Sequence, residues 1–143
     1  MSKRFIEPYV FFGGRCEEAL EFYRVAVGAE VEFLMKFKDN PEPSPQPLPE
    51  GFEDKVMHVT FRIGDSTLMA SDGWGDSSPF SGFSLCLNVA TEADADRAFD
   101  ALAEGGEVQM PLAKTFWSPR FGMLTDRFGV SWMVNVTSEP VAG

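Results

Sequence analysis

Hydrophobic and polar positions along this chain follow two rhythms, one of period two and one of about 3.6, and the pair recurs in the same order. The segment "EPYVFF" (7–12) is rich in β-branched and aromatic residues and runs into Gly13-Gly14, a strand and its turn. In "RCEEALEFYRVAVGAE", Ala19, Phe22, Tyr23, Ala26 and Val27 fall on one helical face, and Gly28 supplies a C-terminal stop. "EVEFLMKF" (30–37) alternates as a strand, and "KVMHVTFRIGDSTLMASD" (55–72) predicts two strands joined around Gly64-Asp65. "GWGDSSPFSG" (73–82) reads as a linker.

The order then repeats. "FSLCLNV" (83–89) is a strand, and "TEADADRAFDALAEGG" opens on Thr91-x-x-Asp94, a capping pattern with Asp in place of Glu. Ala95, Ala98, Phe99 and Leu102 form its apolar stripe, and Gly105-Gly106 end it. "EVQMPL" (107–112) is a short strand; "TFWSPRFGMLTD" and "VSWMVNV" form a hairpin around Arg127-Phe128-Gly129. Each half is strand, helix, strand, strand, strand. A period of roughly 75 residues exceeds any solenoid repeat and suits a duplicated module. The expectation is one α+β domain over 1–143, with modules at about 5–72 and 83–137 forming a curved, barrel-like mixed sheet.

Composition narrows the partners. Net charge is −10, and the basic residues are scattered, which speaks against nucleic acid and anionic membranes. The N-terminal apolar run is broken by Glu7 and Pro8, and no apolar stretch approaches the roughly 18 residues of a membrane span. Cys16 and Cys86 sit in no CxxC motif and are expected to be free thiols in a cytoplasmic protein, with no reactive role. Five of the ten prolines fall within 41–49, so that stretch is expected to be an exposed loop.

Candidate chemistry is sparse. His58, the one histidine, shares a strand face with Val56 and Thr60. It is either a structural, hydrogen-bonded histidine at a sheet face or dimer seam, or a proton shuttle or substrate hydrogen-bond partner, since its ordinary pKa lies near neutrality. In "TFWSPRFG" (115–122), Phe116, Trp117 and Phe121 could stack an unsaturated ligand while Arg120 pairs its carboxylate or phosphonate. Met133 and Asn135 share a face of the last strand, opposite Trp132. The expected ligand-binding set is therefore Phe116, Trp117, Arg120, Met133 and Asn135. Asp72 and Asp126 read as Asx-type turn residues.

The segments "FFGGRCEEALEFY" (11–23), "VMHVTFRIGDSTLMASD" (56–72) and "MPLAKTFWSPRFGMLTDRFGVSWMVN" (110–135) resemble the PhnB-like branch of the vicinal-oxygen-chelate superfamily. That superfamily holds glyoxalase I, bleomycin-resistance proteins and extradiol dioxygenases, and this branch often carries the label "3-demethylubiquinone-9 3-methyltransferase". The likeness runs from about residue 5 to 137 and implies a homodimer with a small-molecule cavity. In metal-using members, strands of both halves donate His, Glu or Gln to a divalent ion. The resemblance puts Pro8 (or Glu7), Leu68, Ser84 and Met133 at those places. Hard divalent ions are poorly served by such donors, so no metal and no cofactor are expected. The methyltransferase label finds no GxGxxG turn and no parallel βαβ alternation to support it. Three readings stay open: a binding or sequestering module; a metal-independent isomerase, lyase or transferase using His58 or Glu7; and a metalloenzyme with displaced ligands.

Overall fold

The computed structural model describes residues 5–41, 47–73 and 79–137. The elements in chain order are β1 (Tyr9–Phe11), α1 (Cys16–Val27), β2 (Glu30–Lys36), β3 (Val56–Ile63), β4 (Ser66–Ser71), β5 (Leu85–Val89), α2 (Glu92–Ala103), β6 (Glu107–Ala113), β7 (Phe121–Thr125) and β8 (Ser131–Val136). Strand, helix, strand, strand, strand thus occurs twice, as the hydrophobic rhythm implies. The expected proline loop and the linker have their centres, 42–46 and 74–78, outside the described residues.

The chain divides into two compact units, Met1–Ser78 and Pro79–Gly143. The first holds a four-stranded sheet of order β1-β4-β3-β2, the second one of order β5-β8-β7-β6. Both have the same wiring: β1 runs parallel to β4 and β5 to β8, while every other pairing is antiparallel. The helix after the first strand carries the chain across the sheet, which a parallel pairing requires. Neither strand order closes on itself, so each unit is an open mixed sheet rather than a barrel.

Local chemistry explains the helices. In α2, Thr91 Oγ1 accepts the Asp94 backbone N–H at 3.1 Å, and Ala95, Ala98, Phe99 and Leu102 are buried as the stripe predicts. In α1 the buried stripe is Cys16, Ala19, Leu20 and Tyr23, and Gly28 stops the helix in the left-handed conformation. The buried face is therefore rotated from the predicted one: Cys16 and Leu20 enter it, while Phe22, Ala26 and Val27 are only half-buried. The two short 3-10 turns at Phe37–Asp39 and Phe52–Asp54 were not predicted. They bring the rings of Phe37 and Phe52 to 6.2 Å.

Two carboxylates do more than turn chemistry implies. Asp72, only 1% exposed, accepts the backbone N–H groups of Gly14 and Cys16 on one oxygen and of Val56 on the other, all within 2.9 Å. It thereby fastens the start of α1 and the start of β3 to the end of β4. Asp126 does close a local turn, accepting the N–H groups of Phe128 and Val130. It also accepts Trp132 Nε1–H at 2.9 Å, which holds the indole on the buried side of β8.

Removing the Asp72 carboxylate leaves three inward N–H donors without an acceptor, and each such loss costs about 1–3 kcal/mol. Asp72→Ala is expected to lower unfolding free energy by about 3 kcal/mol or more in urea titrations. Asp72→Asn keeps one oxygen and its two bonds, so it should cost clearly less. Equal, small losses for both variants would show that the three bonds do not hold the unit together.

Candidate functional site

Each sheet has one face on its own helix and one turned away from it. In the first unit, Val59, Phe61, Leu68 and Ala70 are buried together with the α1 stripe. Alternation along the strands then sends Tyr9, Phe33, His58, Thr60 and Met69 to the other face. Register brings them into one patch: Tyr9 partners Met69, Met69 partners Thr60, and Thr60 partners Phe33.

His58 is the polar centre of this patch. Its Nδ1 lies 2.9 Å from Tyr9 Oη and its Nε2 lies 3.1 Å from Thr60 Oγ1. With the ring proton on Nε2, the phenol donates to Nδ1 and the imidazole donates to the threonine hydroxyl. Partial burial, aided by the nearby Cys16, raises the pKa of Tyr9 above its ordinary value and keeps the phenol protonated. Phe33 and Tyr9 flank the imidazole, with ring centroids at 6.3 and 5.5 Å.

The second unit presents a different surface. Trp132, Val134, Leu124 and Gly122 are buried beneath α2. Gly122 permits the approach: a Cβ there would sit 2.8 Å from the Phe99 ring and 2.9 Å from the Met110 carbonyl oxygen. The opposite face carries Cys86, Asn88, Phe121, Met123, Met133 and Asn135, brought together by the pairings of β5, β7 and β8. Asn135 Nδ2 donates to Asn88 Oδ1 at 3.0 Å. Asn135 Oδ1 is shielded from solvent and has no hydrogen-bond partner among the described residues.

The five residues expected to bind a ligand divide. Met133 and Asn135 do share this face, and Phe121 is the register partner of Asn135. Trp117, 50% exposed, sets its ring edge-on to Phe121 at 5.4 Å and so overhangs the same end. Phe116 is 97% exposed and meets Trp117 edge-on at 4.8 Å. Arg120 points the other way. Its Nε donates to Asp96 Oδ1 of α2 at 2.6 Å, and Glu92 lies 3.9 Å from its Nη1, so it belongs to the helix side of the sheet. Tyr9, Cys86, Asn88 and Met123 were missed. Their phase was available in "SLCLNV", where Cys86 and Asn88 alternate with aliphatic residues, but not their cross-strand neighbours.

The positions that the resemblance aligns with metal ligands fare differently. Leu68 is buried opposite Phe61 on the helix side, and Met69 takes the outward place, one residue along. Pro8 contributes its carbonyl oxygen to the Met69 N–H at 2.9 Å. Ser84 precedes β5, and Met133 is half-buried on the outward face. Among the described residues no three His, Cys, Asp or Glu side chains converge on one point. Thioethers, a hydroxyl and a phenol do not fit a hard divalent ion.

Comparison with known proteins fixes the family. The family described as 3-demethylubiquinone-9 3-methyltransferase matches residues 4–135. Protein YjdN of Escherichia coli is 34% identical over 94% of this chain and 96% of its own length. A Pseudomonas aeruginosa protein of solved structure is 45% identical with a TM-score of 0.83, covering 94% of this chain and 98% of that one. The structure of a Bacillus cereus PhnB protein, titled a putative 3-demethylubiquinone-9 3-methyltransferase, is 29% identical with a TM-score of 0.74 over 94% and 100% of the two chains. The fosfomycin resistance protein FosX of Mesorhizobium loti, at 14% identity, a TM-score of 0.63 and coverage of 96% and 94%, shares the fold alone. The chain has the α+β glyoxalase/bleomycin-resistance fold and belongs to the PhnB-like family described as 3-demethylubiquinone-9 3-methyltransferase.

Proposed function

We propose that this protein binds a small, partly unsaturated molecule on the outward face of the β5–β8 sheet, without help from a hard divalent ion. The observation that carries the reading is Asn135 Oδ1, a solvent-shielded acceptor with no partner among the described residues, beside Met133 and Phe121. An unpaired acceptor in such surroundings costs about 1–3 kcal/mol, which a ligand N–H or O–H would offset. Methionine and aromatic side chains supply the adaptable, polarisable wall that a flat ligand needs, with Trp117 at its rim. Arg120 is left out of the proposed site, since Asp96 engages it.

Methyl transfer receives no support from the topology. Each described sheet is a short mixed one with a single parallel pairing, and no doubly wound parallel sheet is present among the described residues to hold a methyl donor in the usual way.

A screen of small unsaturated compounds carrying an N–H or O–H donor tests the reading by tryptophan fluorescence. A binder is expected to quench emission, and Trp117→Phe should remove most of that quenching. Asn135→Leu should weaken binding about tenfold, the equivalent of one hydrogen bond. Met133→Leu, which conserves volume and polarity, should change affinity by less than about threefold. No binder in the screen, or a binder indifferent to Asn135→Leu, would count against the site.

A second reading rests on the Tyr9–His58 hydrogen bond: a metal-independent enzyme that moves a proton on the first sheet. In D2O, a bound carbon acid should exchange its acidic C–H for deuterium, and His58→Gln should slow the exchange at least about 100-fold. Exchange at the same rate in the variant would remove His58 from the chemistry.

The reading extends to a cytoplasmic homodimer, supported by the two free thiols and by the open β2 and β6 edges. Light scattering at micromolar concentration should report about twice the 15.8 kDa chain mass, and a strict monomer would exclude the dimer.

A further inference from the structure

Sulfur is distributed unevenly over the outward face of the second sheet. Cys86 on β5 is the register partner of Met133 on β8, Met133 of Met123 on β7, and Met123 of Met110 on β6. One sulfur-bearing residue from each strand therefore lies in a single row across the whole sheet. The row is not core packing. Met133 and Met123 are half-buried, Cys86 and Met110 are exposed, and the residues that alternate with Met133 and Met123, namely Trp132, Val134, Gly122 and Leu124, are buried on the α2 side. Side-chain contacts fix the phase of β5: Cys86 Sγ lies 3.9 Å from Asn88 Oδ1, and Asn88 is bonded to Asn135, the neighbour of Met133 on that face.

From this row we propose a binding site for a soft monovalent cation of the Cu(I) class, with Cys86, Met133 and Met123 as its three sulfur ligands. Directly opposed residues of adjacent strands have Cβ atoms about 5 Å apart. Two sulfurs sharing an ion through bonds of about 2.3 Å sit about 4 Å apart, which the methionine side chains can close between adjacent strands. Cys86 and Met123, two strands or about 10 Å apart, reach the ion with their side chains leaning in over Met133. Met133 is central, with a sulfur-bearing neighbour on either side. Met110, one strand further out, borders the site without reaching its centre.

The donor chemistry selects the ion. Thiolate and thioether sulfur bind Cu(I) in preference to oxygen-loving cations. Coordination exchanges the Cys86 thiol proton for the ion and releases that proton to solvent, with no change in oxidation state. Cys16, the other thiol, is fully buried in the first unit and offers no competing site.

The test is anaerobic titration of the Cu(I)–bicinchoninate complex with the full-length protein. We expect withdrawal of about one equivalent of Cu(I), read as loss of the chromophore's colour. Cys86→Ser and the double variant Met123→Leu/Met133→Leu should each withdraw at least about tenfold less, while circular dichroism confirms that both stay folded. A wild-type protein that leaves the chromophore coloured would overturn the proposal. So would full withdrawal by the double variant, which would mean that a thiol binds the ion without the thioethers. The titration contains no organic ligand, so its outcome is independent of the small-molecule screen.

Discussion

The buried Asp72 carboxylate is the constraint on which the first unit depends. Its two oxygens gather N–H groups from Gly14 and Cys16 at the head of α1 and from Val56, far along the chain. Cys16 is the first residue of α1, where the first turn leaves N–H groups without intrahelical partners and the helix dipole favours negative charge, and Gly14 lies just before its N-cap, Arg15. The Asp72 N–H in turn donates to the Val56 carbonyl at 2.8 Å, so the join to β3 is reciprocal. Fixing the end of β4 there, with the Phe12 N–H on the Ser71 carbonyl, fixes the parallel register of β1 on β4. That register sets Tyr9 opposite Met69 and within reach of His58. A buried side chain at one end of the sheet thus helps to decide which polar groups meet in its middle.

The second unit reaches the same wiring by other means. Asp126 ties its own turn and the Trp132 indole, and the inward indole settles the phase of β8. With Trp132 inward, Met133 and Asn135 are outward. Ser118 supplies a second tie: its hydroxyl oxygen lies 3.0 Å from the Val136 carbonyl, which locks the segment before β7 to the end of β8. Gly122 then lets Phe99 of α2 close onto the sheet, as any larger residue would collide with it. Equivalent architecture therefore rests on an aspartate that links distant segments in one unit and on a turn, an indole and a serine in the other.

The two outward faces differ in chemistry although their strands are wired alike. The first combines phenol, imidazole and hydroxyl groups joined by hydrogen bonds beside aromatic rings. The second combines thioethers, a thiol and two amides, a soft set without a formal charge. Duplication of a backbone plan leaves the side chains on each face free to diverge, because the helix-facing positions alone must satisfy the core.

Much of the fold was legible in the sequence. Alternation in "VMHVTFRIGDSTLMASD", the Thr91 cap and the Ala95–Leu102 stripe are short-range signals, and the elements formed where they pointed. The odd separation of Trp132 and Asn135 also fixed their opposite faces, since strand geometry has a period of two. Tertiary structure decided the remainder. A one-residue difference in phase moved Leu68 to the core and Met69 outward. Arg120 looked like a ligand partner until α2 presented Asp96 to it, and Asp72 looked like a turn residue until distant N–H groups converged on it. Periodicity along one strand records which side a residue faces, but carries no account of what a second strand or helix brings to that side. The Tyr9–His58 pair and the sulfur row exist only once the sheets are registered, because each depends on residues that the chain separates and the hydrogen-bonded ladder brings together, Tyr9 and His58 across the intervening β4.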